Sequence, residues 1–529
     1  MDRARGTTPT YSSGMLALLT LATLMFQDPR LTEALALLRA YAPQKAAPED
    51  AAVKAATELL LKAVPRLARP DHALHGPLAQ LWSERQQDLL PGRKRPIHAR
   101  DPLARVLVRF DDERTLTAPA AGLAPHAAAA AFPGIPPADA PAERREIALD
   151  LAVPGRHSLG IYARPGAAVT LSLTGDAPPL AGLRIRIGAH SDDIARRDSW
   201  PRMPRVSRVF PFDTNPVTAA SAYGGLVYVE VPQGASGTRT VTVAGAVPAP
   251  WFVLGTTNAE AWRTLRTAPG PWAELATRKV ILTVPSERVR TLDDPTAVLQ
   301  FWDRVLDAAA DLAGRPHDRV RPERYVADLE ISAGAMHAGY PIMTHLDAAA
   351  TMVDLGRMQQ APWGLFHELG HNHQEKDWTF AGTGEVTVNL FSLYLCETLC
   401  SRSWQEAWGG NLVKAQERLA AVMKAGNLPW DAGGAKADLG LRLLMYSQIQ
   451  QAFGWDAFRK CFAEYRALAD AARPKTEAQK RDQWLTRRSR TVGRDLGPFF
   501  AAWGVAISDA ARAEVAALPD WMPAGWPAK

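Results

Sequence analysis

The chain has 529 residues, 47% of them hydrophobic and 22% charged. That is the profile of a folded globular protein rather than a disordered or fibrous one, and its length calls for more than one core. A net charge of +6 and a pI near 9.2 are a mild excess over so many residues, and the short basic clusters, Arg93-Lys94-Arg95 and Arg487-Arg488-Ser489-Arg490, read as solvated loops, so no nucleic-acid partner is expected.

In chain order, the apolar stretch Met15 to Phe26, "MLALLTLATLMF", comes first. It lacks a clean small-residue cleavage site and runs on into a second apolar pattern, so a buried helix is expected there rather than a signal segment. It is also too short to span a bilayer, and no transmembrane segment is expected. Residues 14–90 read as helices, with leucine and alanine recurring at three and four. Residues 103–145 show little pattern, and "HAAAAAFPGIPPADAPAE" reads as a linker.

From Glu146 the period shortens. Runs such as "EIALDLAV", "AVTLSLTG", "LRIRIGAH" and "GGLVYVEVP" alternate and are separated by Gly, Pro and Asp, which predicts a β-sandwich ending near Pro250. Beyond it, "KVILTVPS" and "YVADLEIS" read as strands and "TAVLQFWDRVLDAAADLAG" as a helix. After Pro362 the chain is mostly helical to about Tyr465, followed by a less regular basic tail. The expected organisation is a helical region over 1–110, an Ala/Pro-rich linker over 111–145, a β-sandwich over 146–250 and a catalytic unit over 251–529. Three cysteines, Cys396, Cys400 and Cys461, form neither an even disulfide set nor a metal set, and read as buried thiols.

The chemistry concentrates in "GLFHELGHNHQEKDWTFAGTGEVTVNLFSLY", Gly364 to Tyr394. His367-Glu368-Leu369-Gly370-His371 is an HExxH sequence. On a helix its two histidines share a face and can bind one Zn²⁺, with Glu368 placed as general base for a water at the metal. A catalytic zinc needs a third protein ligand. Glu385 is the leading candidate, because "AGTG" turns the chain and Thr383 can cap a helix that Glu385 opens. Glu375, Asp377 and His373 compete for the role. Asn389 lies one turn beyond Glu385 and is placed to orient a ligand. This set predicts peptide-bond hydrolysis.

The stretch resembles the enhancin-like zinc metallopeptidases, which include viral enhancins and bacterial mucin-cleaving O-glycopeptidases. "GHNHQ", Trp378, "GEVTVNLFSLY" and "GAMHAGYPIMTH" carry the resemblance, with weaker likeness over about residues 150–525. It implies a multidomain α+β protein: an N-terminal helical region, a sandwich, then a gluzincin-type zinc peptidase core with a mostly α-helical C-terminal part. It implies His367, His371 and Glu385 as ligands of one Zn²⁺ and Glu368 as the base. It implies an edge strand at "MHAGYPI" that receives substrate, with His337 and Tyr340 beside the cleft and Gly339 allowing close approach. Trp378 would offer a sugar platform, Asn372, His373 and Gln374 polar contacts, and Tyr446 an oxyanion donor. The implied substrate is an O-glycosylated, mucin-like protein met outside the cell, in the periplasm or at the cell surface. Competing readings are a general or cell-envelope zinc peptidase without a glycan requirement, and a glycan-binding protein with a vestigial zinc site. Nothing in the sequence points to an oligomeric state.

Overall fold

The computed structural model describes residues 28–43, 48–174, 181–425, 430 and 438–526. The stretch Met15–Phe26 lies outside them. Four helices open the described chain: α1 (Pro29–Ala40), α2 (Ala51–Leu67), α3 (His75–Leu89) and α4 (Pro102–Thr117). Asp28 and Asp101 cap α1 and α4, each followed by a proline in the first turn, where its missing N–H costs nothing. The low-pattern stretch expected from residue 103 is in fact the helix α4. Leu103 to Val108 and Phe110 to Asp112 are all buried. A helix enclosed on most of its circumference shows no polar stripe, which is why its period was hard to read.

The sandwich comprises β1 (Glu143–Asp150), β2 (Gly155–Ala163), β3 (Val169–Leu173), β4 (Arg184–Ile187), β5 (Arg208–Pro211), β6 (Val217–Ala219), β7 (Gly225–Val231) and β8 (Thr238–Pro248). The strand order is β5-β4-β7-β2-β8-β3-β6, with β1 also paired to β8. β8 joins the two layers: Thr238–Ala244 pairs with β1, while Val247 and Pro248 pair with β2. The register shifts at Gly245, whose φ of +92 suits glycine and lets the strand change sheets. Inward-facing Leu159, Ile161, Leu171, Ile185, Val229 and Val241 fill the space between layers.

A second sheet follows: β9 (Trp251–Val253), β10 (Trp272–Ala276), β11 (Val280–Pro285), β12 (Glu323–Asp328), β13 (Met336–His337) and β14 (Ile342–His345). Its order is β9-β10-β11-β12-β14-β13, which puts β13 at an edge. The amphipathic helix α5 (Thr296–Leu312) packs against it through Leu299, Trp302, Val305 and Leu306. Then come α6 (Trp363–His373), α7 (Gly384–Cys400), α8 (Asn411–Lys424), α9 (Leu439–Arg466) and α10 (Glu477–Val492). The basic cluster Arg487–Arg490 is therefore not a solvated loop. It lies in α10, which a Thr476/Gln479 capping box opens, and Arg488 is fully buried. No helix among the described residues is long and apolar enough to cross a membrane. The three cysteines are free, with Cys396 and Cys461 buried.

The sandwich and the second sheet are joined by buried charge. Arg202, in the loop before β5, donates to both oxygens of Asp328 at 2.7 and 2.9 Å, and its remaining N–H groups reach the carbonyls of Asp192, Met203, Pro204 and Glu330. Arg324, on β12, reaches Glu274 on β10 and also the Arg156 carbonyl and Ser158 hydroxyl on β2. Two buried arginines bonded across this boundary fix one docking geometry, because breaking either pair would strand a charge.

Candidate metal centre

Two helices build the site. α6 buries Leu365, Phe366 and Leu369 and turns His367 and His371 outward together. Their rings lie 4.7 Å apart at 88°. α7 starts with Gly384, so Glu385 sits in its first turn. Thr383 occupies the cap position, but its hydroxyl donates to the Phe380 carbonyl at 2.6 Å instead of capping α7. Gly370 makes the helix crossing close. A Cβ there would meet the Val388 side chain and carbonyl at 2.9 Å and Phe391 at 3.0 Å. The glycine inside HELGH thus brings the start of α7 to the two histidines.

The Nε2 atom of His367 lies 3.1 Å from Glu385 Oε2, and that of His371 3.6 Å from Oε1. One donor atom from each of the three residues lies within 4.8 Å of the others. The far ring nitrogens are fixed by amides: His367 Nδ1–H donates to Asn389 Oδ1 at 2.6 Å, and His371 Nδ1–H to Gln374 Oε1 at 3.2 Å. That tautomer leaves both Nε2 lone pairs aimed at Glu385, which suits a divalent cation with nitrogen and oxygen ligands. Where the imidazoles also carry a proton on Nε2, their hydrogen bonds hold the Glu385 carboxyl far below its usual range, and a cation bound there would take the place of those protons. Of the competing residues, Glu375 binds Arg315 and Arg466, and Asp377 is buried against Arg473.

Glu368 is buried beside the pair, and burial pushes its carboxyl up despite both nearby imidazoles. The edge strand β13 runs next to the start of α6, with Met336 against Gly364.

Several expected substrate contacts are placed otherwise. Trp378 is fully buried and stacked on Phe462 at 4.3 Å, so it offers no sugar platform. His373 is buried. Its Nδ1–H donates to the Leu369 carbonyl, its Nε2 accepts from Arg319, and burial with Arg319 holds it neutral with a pKa of about 3. Gln374 is committed to His371, the Gly384 carbonyl and Thr387. Asn372 braces the N–H and carbonyl of Gly339 and also Glu323, which leaves neither that amide nor that glycine's backbone free for substrate. Tyr340 is turned against the sandwich, where its hydroxyl accepts from the Arg156 N–H at 3.2 Å and Arg321 lies over its ring at 3.5 Å. Tyr446 is enclosed between Trp430 and Trp484 with no exposed hydroxyl, and so is no oxyanion donor in this arrangement.

His337 has a partner that sequence reasoning missed. Its Nε2 lies 2.7 Å from Asp192 Oδ2, and Asp192 also accepts from the Ser332 N–H at 2.7 Å. Asp192 follows β4 in the sandwich, so a residue far upstream holds a side chain that lies close to Glu368. The only signal was the run of polar residues in "GAHSDD", which has no period to read.

Two family models match the chain side by side. The N-terminal domain of M60-like peptidases matches residues 139–244, and peptidase M60, enhancin and enhancin-like, matches residues 245–504. TRPM8 channel-associated factor 2 of Bos taurus is 37% identical over 389 residues, 70% of this chain and 42% of that protein. Its Homo sapiens counterpart is 38% identical over 372 residues, 69% and 39% of the two chains. The chain thus spans about two fifths of the length of these curated relatives. Among solved structures, IMPa from Pseudomonas aeruginosa in complex with an O-glycopeptide is similar at a TM-score of 0.61 and 20% identity, over 91% of this chain and 64% of that one. A conserved protein of unknown function from Bacillus anthracis str. Ames gives 0.58 at 24% identity, over 72% and 80%. These likenesses bear on the fold.

Proposed function

The chain belongs to the peptidase M60 family, enhancin and enhancin-like, and from that premise we propose that it is a zinc-dependent endopeptidase that hydrolyses peptide bonds in O-glycosylated, mucin-like proteins outside the cell. The observation that carries this reading is the convergence of His367, His371 and Glu385 beside a buried Glu368 and an open edge strand.

His367, His371 and Glu385 would hold the zinc, and the amides of Asn389 and Gln374 keep both imidazoles in the ligating tautomer. When bound, zinc supplies a Lewis acid that polarises the scissile carbonyl and makes water a usable nucleophile near neutral pH. Glu368 removes the proton from the attacking water and returns it to the departing amine. Burial, which raises its affinity for a proton, suits it to both halves of that transfer. β13 offers its outer edge to an extended peptide, and such pairing is nearly blind to sequence.

Support for a glycosylated substrate comes from the IMPa structures, which hold T-antigen in one case and an O-glycopeptide in another. The burial of Trp378 and His373 favours a second reading, a zinc peptidase with no glycan requirement.

The test is one preparation assayed on an O-glycopeptide and its bare twin by mass spectrometry, with zinc measured alongside. Glu368→Gln should keep one zinc per chain and lose turnover by 100-fold or more, on the order of what a general base contributes. Near-normal turnover in that variant would falsify the mechanism. Equal kcat/KM on the two peptides would leave the peptidase and remove the glycan.

A further inference from the structure

Arg488 lies on α10 with no solvent exposure, and none of its three guanidinium nitrogens has a partner among the described residues. Its guanidinium carbon is 3.7 Å from the centre of the Phe458 ring, 4.4 Å from Trp484 and 5.6 Å from Phe462. Aromatic faces attract the cation, but they cannot take its in-plane N–H bonds. Further donors gather at the same rings. The Tyr446 hydroxyl, the Tyr465 hydroxyl and the Trp484 indole N–H are all buried and without partners. The Trp484 ring lies 5.6 Å from Tyr446 and 6.3 Å from Tyr465. Arg488 sits close enough to both phenols for its charge to act on them.

No carboxylate among the described residues pairs with Arg488. Glu464, the nearby carboxylate, pairs with Arg487 at 3.5 Å and faces outward. Burial raises the Cys461 thiol and keeps it neutral. Arg442, the other cation facing Tyr446, donates to the Gly382 carbonyl. A buried guanidinium left in this state is strongly unfavourable, and donors without an acceptor call for something negative.

We propose that a small monovalent anion, with chloride as the occupant, binds against Arg488 within the buried cluster of Phe458, Phe462, Trp484, Tyr446 and Tyr465. Enclosure excludes a substrate or an organic acid, since all six residues are fully buried. A halide accepts N–H and O–H bonds from any direction and, unlike water, supplies the counter-charge that the buried guanidinium lacks. The site also backs the metal centre. Trp378, in the segment joining His371 to Glu385, stacks on Phe462 and lies 5.9 Å from Tyr465. An anion held there therefore steadies the chain between the two metal-binding helices.

Thermal unfolding of the full chain, titrated with sodium chloride against sodium gluconate at matched ionic strength, tests this. Tm should rise on the order of 2 °C per tenfold increase in chloride once the site begins to fill. Bromide should substitute and gluconate should not. Arg488→Met should abolish the difference between the two salts. If that variant does not fold, Tyr465→Phe should fold and require more chloride for the same rise. Crystals grown in bromide should show anomalous density at the guanidinium. Identical Tm curves in chloride and gluconate, no such density, or a chloride response surviving in Arg488→Met would each overturn the site.

Discussion

At the scale of single residues, what matters is which atom of a side chain is already spoken for. His371 and His373 are two positions apart, yet one presents Nε2 to Glu385 while the other is locked between Leu369 and Arg319. On a helix, two residues apart means faces about 200° apart. Glu385→Ala should therefore lose most of the zinc, whereas His373→Ala should retain it and lose stability instead. Metal analysis after dialysis, read beside a thermal melt, separates the two, and zinc lost only from His373→Ala would mean that the third ligand has been misassigned. The spacing of His367 and His371 made their shared face legible, because helix geometry alone decides it, whereas the approach of Glu385 also needs the close crossing at Gly370. The fates of Trp378, Asn372 and Gln374 were not legible. Whether a polar or aromatic side chain meets solvent or core there depends on Phe462, Glu323 and Thr387, partners that no local pattern names.

Among elements, the crossing of α6 and α7 is the joint on which the metal centre depends. Gly370→Val should push α7 away from α6 at Val388 and Phe391, at a cost of about 1–3 kcal/mol. It should also lower zinc content, since Glu385 moves with α7. Full zinc occupancy at an unchanged melting temperature would show that the crossing tolerates the displacement. Alternating strands and the amphipathic α5 were readable, as each has one buried and one open face. α4 and α10 were not. α4 is covered on most sides, and α10 hides Arg488 among aromatic rings, so a charged run that looks solvated is partly core.

For the molecule as a whole, the sandwich supplies a partner to a side chain near the candidate metal centre. The hydrogen bond from His337 to Asp192 raises the histidine's pKa, against some loss from burial. A histidine bound more tightly to its proton when folded stabilises fully below its unfolded value, about 6.5. That contribution disappears as pH climbs through the raised value. The Tm advantage of the native chain over Asp192→Asn should thus shrink as pH rises above about 6.5. An advantage constant over that range would mean that the pair is not charged at the lower end.

His337 leans on Asp192 and Tyr340 on Arg156, both upstream of the point at residue 245 where one family match gives way to the next. Side-chain contacts of the edge-strand segment therefore cross the seam between the two matches. Another sandwich put in place of this one would leave both side chains without their partners, so the two halves act as one piece.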